Sequence, residues 1–444
     1  QEGVPGASIK VKNLNIGAIS DFEGNFSINA EKNAVLVASF IGYSTKEVTL
    51  NGQEKLNISL EESSNELEQV VVVGYGAQRK VDVTGATSSV KGEDLLKQPV
   101  MTPTQAIQGR VAGVQIISSG RPGSSPNIRI RGTGTALAGT ATLFVVDGVL
   151  TDDISNINTS DITNIDILKD ASSTAIYGAR GANGVVIIST KKGSSGKISV
   201  NYNNSIGVRS VANMVKMANA TEYANYVSAA SGQVVQAGSI STDWYRQIIR
   251  NAFMQNHNLS ISGGSEKSKN YLSLGYMADE GIVIKNNFKR FTARLNNDFV
   301  LHEKLKTGIS TSFANSRDQN VNLGTAYNNA YRAAPVIEAV QDGKYGNTSL
   351  YQNVGNAVLD INNNDDYTVI NRLQSSAYLE FNPIKSLTFR SSIGGDLNFR
   401  NSRVYNYQFN NDQTTFIAAG GNQRNPNSNL SSTTENFFRW VWDN

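Results

Sequence analysis

Cysteine is absent from all 444 residues, which excludes disulfide frameworks, thiol catalysis and cysteine metal sites. Histidine is scarce too, with 2 residues, His257 and His302. Neither has a serine or carboxylate partner placed by a recognisable motif, so no catalytic residue is expected, and interfacial or structural roles suit both. Charge is thin: Asp, Glu, Lys and Arg make up 17% of the chain, against roughly 25% in ordinary soluble domains. The 40 basic and 37 acidic residues leave a net +3, which gives no ground to expect nucleic acid or an acidic partner. No run of about 18 apolar residues occurs, so a transmembrane helix is excluded and only a β-barrel could carry these residues across a bilayer. No signal-peptide pattern follows Gln1, so export would need a leader removed from this sequence or lying outside it.

What is plentiful is Asn, Ser, Thr, Gly and Tyr, a composition suited to a β-rich wall that is apolar on one side and hydrogen-bonding on the other. The most informative stretch runs from Asp170 to Gly193 (DASSTAIYGARGANGVVIISTKKG). Small residues from Ala171 to Ile176 predict a helix, and Tyr177-Gly178 ends it. Gly181 and Gly184 are expected at backbone angles that side chains forbid, and Val185 to Ile188 at the entry of a buried strand.

Four regions are expected. Residues 1–62 predict a small β-sandwich, with strands at Ala7 to Val11, Gly17 to Ser20, Gly24 to Ala30, Ala34 to Phe40, Lys46 to Leu50 and Lys55 to Leu60. Residues 63–76 pass from an acidic linker into Glu68-Gln69-Val70-Val71-Val72-Val73, which reads as an ordinary buried strand or as an exposed donor strand for another protein's sheet edge. Residues 77–193 alternate helix and strand: a strand at Val81 to Val90, a short helix at Gly92 to Lys97, then Thr102 as N-cap with Pro103 opening a helix through Gln105 to Val111. Strands follow at Val114 to Ile117, Asn127 to Arg131 and Leu143 to Val146, with a turn or short strand at Asp161 to Ile165. Arg129 and Arg131 are expected on one side of one strand, as a contact to a neighbouring domain or to substrate, or, the favoured reading, in a structural ion pair. Gly132-Thr-Gly-Thr lacks the Gly-Lys-Ser/Thr ending of a phosphate loop.

Residues 194–444 carry the membrane argument. A lipid-spanning strand needs about nine to eleven residues with one apolar and one polar face. Phe291, Ala293, Leu295 and Phe299 share one face, with Thr292, Arg294, Asn296 and Asp298 on the other. Leu272, Leu274 and Tyr276 alternate with Tyr271, Ser273 and Gly275, and Leu387, Phe389, Ile393, Leu397 and Phe399 repeat the pattern. Strands are predicted at 197–208, 256–263, 269–278, 287–300, 304–314, 370–382, 386–400 and 434–443. Their links mostly alternate short and long, as in outer-membrane barrels with tight turns at one end and long loops at the other. Trp440 and Trp442 suit an aromatic girdle, the commoner role, or stacking on a sugar. Asp152-Asp153 and Asn362 to Asp366 lack the regular spacing of a calcium loop and read as solvated loops, so neither metal nor cofactor is expected.

The motif from Asp170 to Gly193 closely resembles the plug-domain signature of SusC/RagA-type TonB-dependent outer-membrane transporters. Asp82-Val-Thr-Gly-Ala, Gln108-Gly-Arg-Val-Ala-Gly-Val, Asn127-Ile-Arg-Ile-Arg-Gly and Phe144-Val-Val-Asp-Gly-Val resemble plug segments of that family in the same order. Val4-Pro-Gly-Ala-Ser-Ile, Ser20 to Ser27 and Phe40-Ile-Gly-Tyr resemble its carboxypeptidase-regulatory-like domain, which implies no peptidase activity. The resemblance implies a mainly β protein: an N-terminal sandwich, an α+β plug, and the first strands of an antiparallel barrel of about 22 strands, incomplete in this chain. It implies a TonB box at Glu68 to Val73, and plug roles for Arg129, Arg131, Asp147, Asp170, Tyr177, Gly178, Arg180, Gly181 and Gly184. It further implies an importer of oligosaccharides or peptides in the outer-membrane lipid, with its N-terminal domain and coupling segment in the periplasm, working with TonB and a SusD-like surface lipoprotein. The alternative is a non-transporting outer-membrane scaffold for a surface or secretion assembly.

Overall fold

The computed structural model describes every residue except 1–2, 13, 15, 41–42, 44, 54, 61–69, 74–75, 80–86, 99–100, 133–140, 352–353, 385–386, 406–429 and 444. The chain divides into two compact units. In the first, β1 (Ser8–Val11), β2 (Gly17–Ile19), β3 (Val35–Ser39) and β4 (Lys46–Thr49) form one sheet in the order β2-β1-β3-β4. The segments expected as strands at 24–30 and 55–60 join no ladder. They still present alternate residues, Phe26, Ile28, Ala30, Leu56, Ile58 and Leu60, to the core of Ile9, Val11, Leu36 and Ala38. A period of two thus survives as a packing layer without strand pairing. Val70–Val73 (β5) and Gly76–Arg79 (β6) make a two-stranded sheet.

The second unit opens with β7 (Thr87–Lys91), α1 (Gly92–Leu95) and α2 (Pro103–Ala106). Thr102 caps α2, its side chain accepting from the Gln105 amide at 3.3 Å, with Pro103 at the first helical position. The expected helix through Val111 stops at Ala106, giving way to tight turns around Gly109 and Gly113, both at positive φ. β8 (Val114–Ile117) and β9 (Asn127–Ile130) pair as a hairpin. β10 (Leu143–Val146), β11 (Val149–Thr151), β12 (Ile162–Leu168) and β13 (Val185–Thr190) complete a sheet ordered β11-β10-β13-β12-β7. β12 is longer than the sequence suggested, because Ile165, Ile167 and Leu168 are all fully buried between packed layers. Between them α3 (Ala171–Thr174) passes into a 3-10 turn, shorter than the α-helix expected to Ile176, and the chain kinks at Gly178 (φ 59°, ψ −149°).

The remaining strands, β14 (Gly196–Arg209), β15 (Ala252–Gly264), β16 (Ser268–Glu280), β17 (Asn287–His302), β18 (Leu305–Asn320), β21 (Asp366–Ile384), β22 (Leu387–Tyr405) and β23 (Leu430–Asp443), form one eight-stranded antiparallel sheet in sequence order, as predicted. The sheet is not closed in this chain. Two of the long links expected as loops carry helices instead: α4 (Ala220–Ser231), α5 (Trp244–Ile248), α6 (Leu323–Arg332) and α7 (Ala357–Asn362), with a small hairpin of β19 (Val340–Gln341) and β20 (Lys344–Tyr345); the third lies outside the described residues. Trp244, Ile248, Val283, Ala326, Ala330 and Ile361 join the longer links in a second apolar core at one end of the sheet. His257 lies well inside β15 rather than at a strand start, its Nδ1 2.7 Å from the Tyr202 hydroxyl; His302 stands at the β17–β18 turn, its Nδ1 accepting from the Lys304 amide.

Candidate functional site

The eight-stranded sheet has its polarity the wrong way round for a soluble protein. Along β17, Arg290, Thr292, Arg294 and Asn296 are buried, while the alternating Phe291 (43% exposed) and Leu295 (44%) stand open. β16 repeats this, with Tyr271 and Ser273 buried and Leu272, Leu274 and Tyr276 exposed. Burying a cation and exposing a leucine is costly in water; it is the stable arrangement when one face meets lipid and the other meets a polar partner. That partner is the five-stranded domain.

Its β10–β11 hairpin turns at Asp147 (φ 47°) and Gly148 (φ 87°), two positive angles that suit Asp-Gly in a tight hairpin turn. The turn aims the Asp147 carboxylate at the barrel sheet. Oδ1 accepts from the Thr190 amide at 2.9 Å, and Oδ2 accepts from Thr190 Oγ1 at 2.6 Å and from Arg294 Nη1 at 3.1 Å. Ser310 Oγ lies 3.2 Å from Oδ2 and 2.7 Å from Asn296 Oδ1. Asn296 Nδ2 donates in turn to Thr190 Oγ1 (2.9 Å) and to the Lys191 carbonyl (2.6 Å). The Arg294 and Asp147 side chains keep 5% and 14% of their exposure, so the pair is paired charge for paired charge in a nearly dry setting.

Four further contacts surround it. Arg372 pairs with Asp396 on the neighbouring strand (2.8 and 2.5 Å) and also donates to Thr151 Oγ1 and, at 2.9 Å, to the Asp153 carbonyl. Arg290 donates to the Ser155 carbonyl. Buried Asp161 accepts from Tyr271 Oη at 3.0 Å and Asn258 Nδ2 at 3.3 Å. Arg121, from the β8–β9 loop, pairs with Asp318 at 2.5 Å. The apolar share is small: Met101 packs with Met277 and Phe288. A cleft of about 550 Å³ opens beside it, lined by Gln98, Gln105, Gln108, Arg209 and Met254 among others, at the end of β14 that leads into the long links.

Of the plug residues singled out in the sequence, Asp147 stands at this seat, and Arg131, Asp170, Tyr177, Gly181 and Gly184 make contacts within the small domain. Arg131 directly follows β9 in left-handed backbone (φ 56°) and pairs with Asp170 at 2.7 Å, an ion pair within the small domain. It lies outside β9, so it does not share a strand face with Arg129, which is half-buried within β9. Tyr177 is buried among Leu143, Val145, Leu168 and Val185, and Arg180 is exposed. Gly184 has positive φ (88°), and a Cβ there would sit 2.6 Å from Ile130 Cδ1. Gly181 differs from expectation: its φ is ordinary, and what excludes a side chain is the Thr174 carbonyl at 2.9 Å. Val70–Val73 form β5, whereas Glu68 and Gln69 lie outside the described residues, as does Thr133-Gly134-Thr135. The sequence reading missed Thr190, Asp161 and Thr151; it placed Arg294 and Asn296 on the polar face without a partner. Among the described residues no cluster of three or more His, Asp or Glu side chains is arranged for a metal.

A small α+β domain hydrogen-bonded to the polar face of an antiparallel sheet, whose other face is apolar and open, defines a plugged membrane barrel. Comparison with known proteins agrees. Residues 79–185 match the TonB-dependent receptor plug domain and residues 1–72 the carboxypeptidase-regulatory-like domain. The chain is 35% identical to TonB-dependent receptor P3 of Formosa agariphila over 94% of its own length and 42% of that protein. It is 34% identical to TonB-dependent receptor SusC of Bacteroides thetaiotaomicron over 92% of its length, again 42% of the relative. The RagAB peptide importer in its open-open state superposes with a TM-score of 0.69 at 27% identity, covering 77% of this chain and 44% of that one. The chain thus carries a TonB-dependent receptor plug domain and is similar over nearly all of its own length to SusC-type TonB-dependent receptors, relatives that are receptors and not enzymes. It spans less than half the length of the curated relatives it matches.

Proposed function

We propose that this chain belongs to a plug-gated importer in the bacterial outer membrane that is energised by TonB. The observation that carries the reading is the polar seat itself: a separately folded domain sits on the lumen face of a lipid-facing sheet through bonds that water can replace. In this reading residues 1–62 are a periplasmic domain, 63–76 a linker holding the coupling segment, 77–193 the plug, and 194–444 part of the barrel wall. The long links and their helices face the cell exterior, and the cleft beside Gln105 and Arg209 opens toward arriving substrate.

TonB adds to the strand at Glu68, Gln69 and Val70–Val73 by backbone hydrogen bonds, which place few demands on side chains and transmit a pull. The pull displaces or partly unfolds the plug and opens a path. The cargo is an oligosaccharide or peptide, delivered under a SusD-like surface lipoprotein. The match to the RagAB peptide importer supports the transport reading.

The test uses the full-length protein. A deletion strain is grown on a panel of oligosaccharides and peptides as sole nutrient to find the cargo, and then complemented with Val71→Pro. Proline removes a backbone donor from the coupling strand. The variant should reach the outer membrane in normal amount, bind cargo and fail to import it. Import at the wild-type rate would sink the coupling assignment.

A further inference from the structure

On the outward face of β15 to β18, β21 and β22, charged side chains are confined to the side of the sheet that carries the long links. There, among the described residues, stand Glu280, Lys289, Arg317 and Arg403; the rest of that face is apolar or uncharged. Glu280 is engaged by Arg250 at 3.6 Å. The three cations form a crescent over neighbouring strands. Lys289 is directly opposite Arg317 in the β17–β18 register, and Tyr367 directly opposite Arg403 in the β21–β22 register. The Arg317 guanidinium lies 4.5 Å from the Tyr367 ring centre, and that of Arg403 lies 5.8 Å from Tyr367 and 5.5 Å from Tyr405.

Two features separate this from ordinary interfacial snorkelling. Like charges directly opposite each other on one face of a sheet repel, and Lys289 and Arg317 are both exposed there. The tyrosine faces also hold the guanidiniums in place through cation–π contact, which reduces the freedom a bound anion must take away. We propose that Lys289, Arg317 and Arg403 form a site for the phosphate-bearing headgroup of a lipid in the leaflet on the long-link side. The acyl chains of that lipid lie along the apolar belt below, at Phe291, Phe313 and Phe399, which are exposed on the same face. The guanidiniums chelate phosphate oxygens and the ammonium adds a point charge. This inference rests on the outer-membrane reading.

The experiment extracts the full-length protein from outer membranes into neutral detergent and titrates it with diphosphorylated lipid A, with the same lipid stripped of phosphate, and with inorganic phosphate. Fractionation of the same cells reads membrane placement separately. The phosphorylated lipid should bind and its dephosphorylated form should not. Lys289→Gln with Arg317→Gln should weaken binding by about thirtyfold, at about fivefold per cation, while Lys289→Arg with Arg317→Lys retains most of it. If the glutamine pair does not insert, Lys289→Gln alone should still show the fivefold loss. Membrane-inserted protein that treats the two lipids alike, or binds equally with Lys289 neutralised, overturns the site. Equal affinity for inorganic phosphate assigns it to a free anion and overturns the lipid reading. Protein found outside the membrane fraction overturns the parent reading instead.

Discussion

Inside the plug, Leu95, Ile107, Ile154, Ile165 and Ile188 pack with almost no exposed area, whereas the same domain meets the barrel strands chiefly through Asp147, Thr190, Asp161 and Ser155 bonded to Arg294, Asn296, Tyr271 and Arg290. The two contacts respond differently to water. Separating apolar side chains forfeits about 1.5–3 kcal/mol for each large residue re-exposed. Exchanging a hydrogen bond for one to water costs about 0.5–1.5 kcal/mol net, or about 1.5–3 kcal/mol where one partner is charged, and the seat has fewer such bonds than the plug core has buried side chains. A plug built this way can leave its seat with less loss than it would suffer by coming apart. In the proposed importer, the difference is between a domain that stays folded and an interface that opens.

The sharpest way to break that comparison is to make the seat unable to exchange its partners. Asp147→Ala leaves Arg294 buried without its carboxylate, which should cost about 3–5 kcal/mol. In the full-length protein this should appear as a lowered urea midpoint and as entry of a bulky antibiotic through a loosened plug. Asp147→Asn with Arg294→Met should recover much of the stability, because it removes both charges together while Asn tolerates the positive φ and keeps an oxygen to accept from Thr190. A single variant with unchanged midpoint and permeability would show that the seat is not held at Asp147. Next in size is the outward face: Leu295→Arg should destabilise the inserted barrel by about 2–4 kcal/mol if it lies near mid-bilayer, measured by refolding into lipid vesicles. A soluble sheet would accept that change at an exposed site with almost no effect. Within the plug, Gly184→Ala combines a left-handed backbone with a Cβ 2.6 Å from Ile130 Cδ1. It should cost about 1–3 kcal/mol, seen as a lower melting temperature of the full-length protein.

How much of this was legible in the sequence follows from how local each signal is. The strand alternation around Leu295 and Leu397 was plain, because a period of two needs only neighbours, and the eight strands came out in order. The Thr102-Pro103 cap was legible for the same reason. α5 and α7 were not, since five- and six-residue helices are stabilised by the apolar core they share with Val283 and Ala330 rather than by propensity. The seat was half legible. Asp147 stood out as part of a plug segment and Arg294 as a charge on a polar strand face, but 147 positions separate them, and no local pattern joins them. Gly181 was read correctly as necessary and for the wrong cause, because a close approach to the Thr174 carbonyl is a tertiary fact.

The smallest effect probes the junction between the plug's edge strand and the rest of its fold. Lys169 Nζ donates to Ser88 Oγ on β7 and to the Ala112 carbonyl, both at 2.7 Å. Burial, then the nearby Arg131 charge, pushes its pKa below the usual lysine value, with Asp170 opposing. The folded state therefore binds this proton less tightly than the unfolded chain does. The unfolded state carries more protons between the lowered folded pKa and the ordinary value of 10.5, so the Lys169 contribution to stability rises with pH across that window. A neutral amine still has hydrogens to donate to Ser88 and Ala112, so both contacts survive the loss of charge. Amide exchange of Ser88 to Val90 in the full-length protein, corrected for the intrinsic pH dependence of exchange, should show slightly greater protection as pH rises toward 10.5. Lys169→Met should flatten that slope. A slope of the opposite sign would mean that attraction to Asp170 outweighs burial at this lysine.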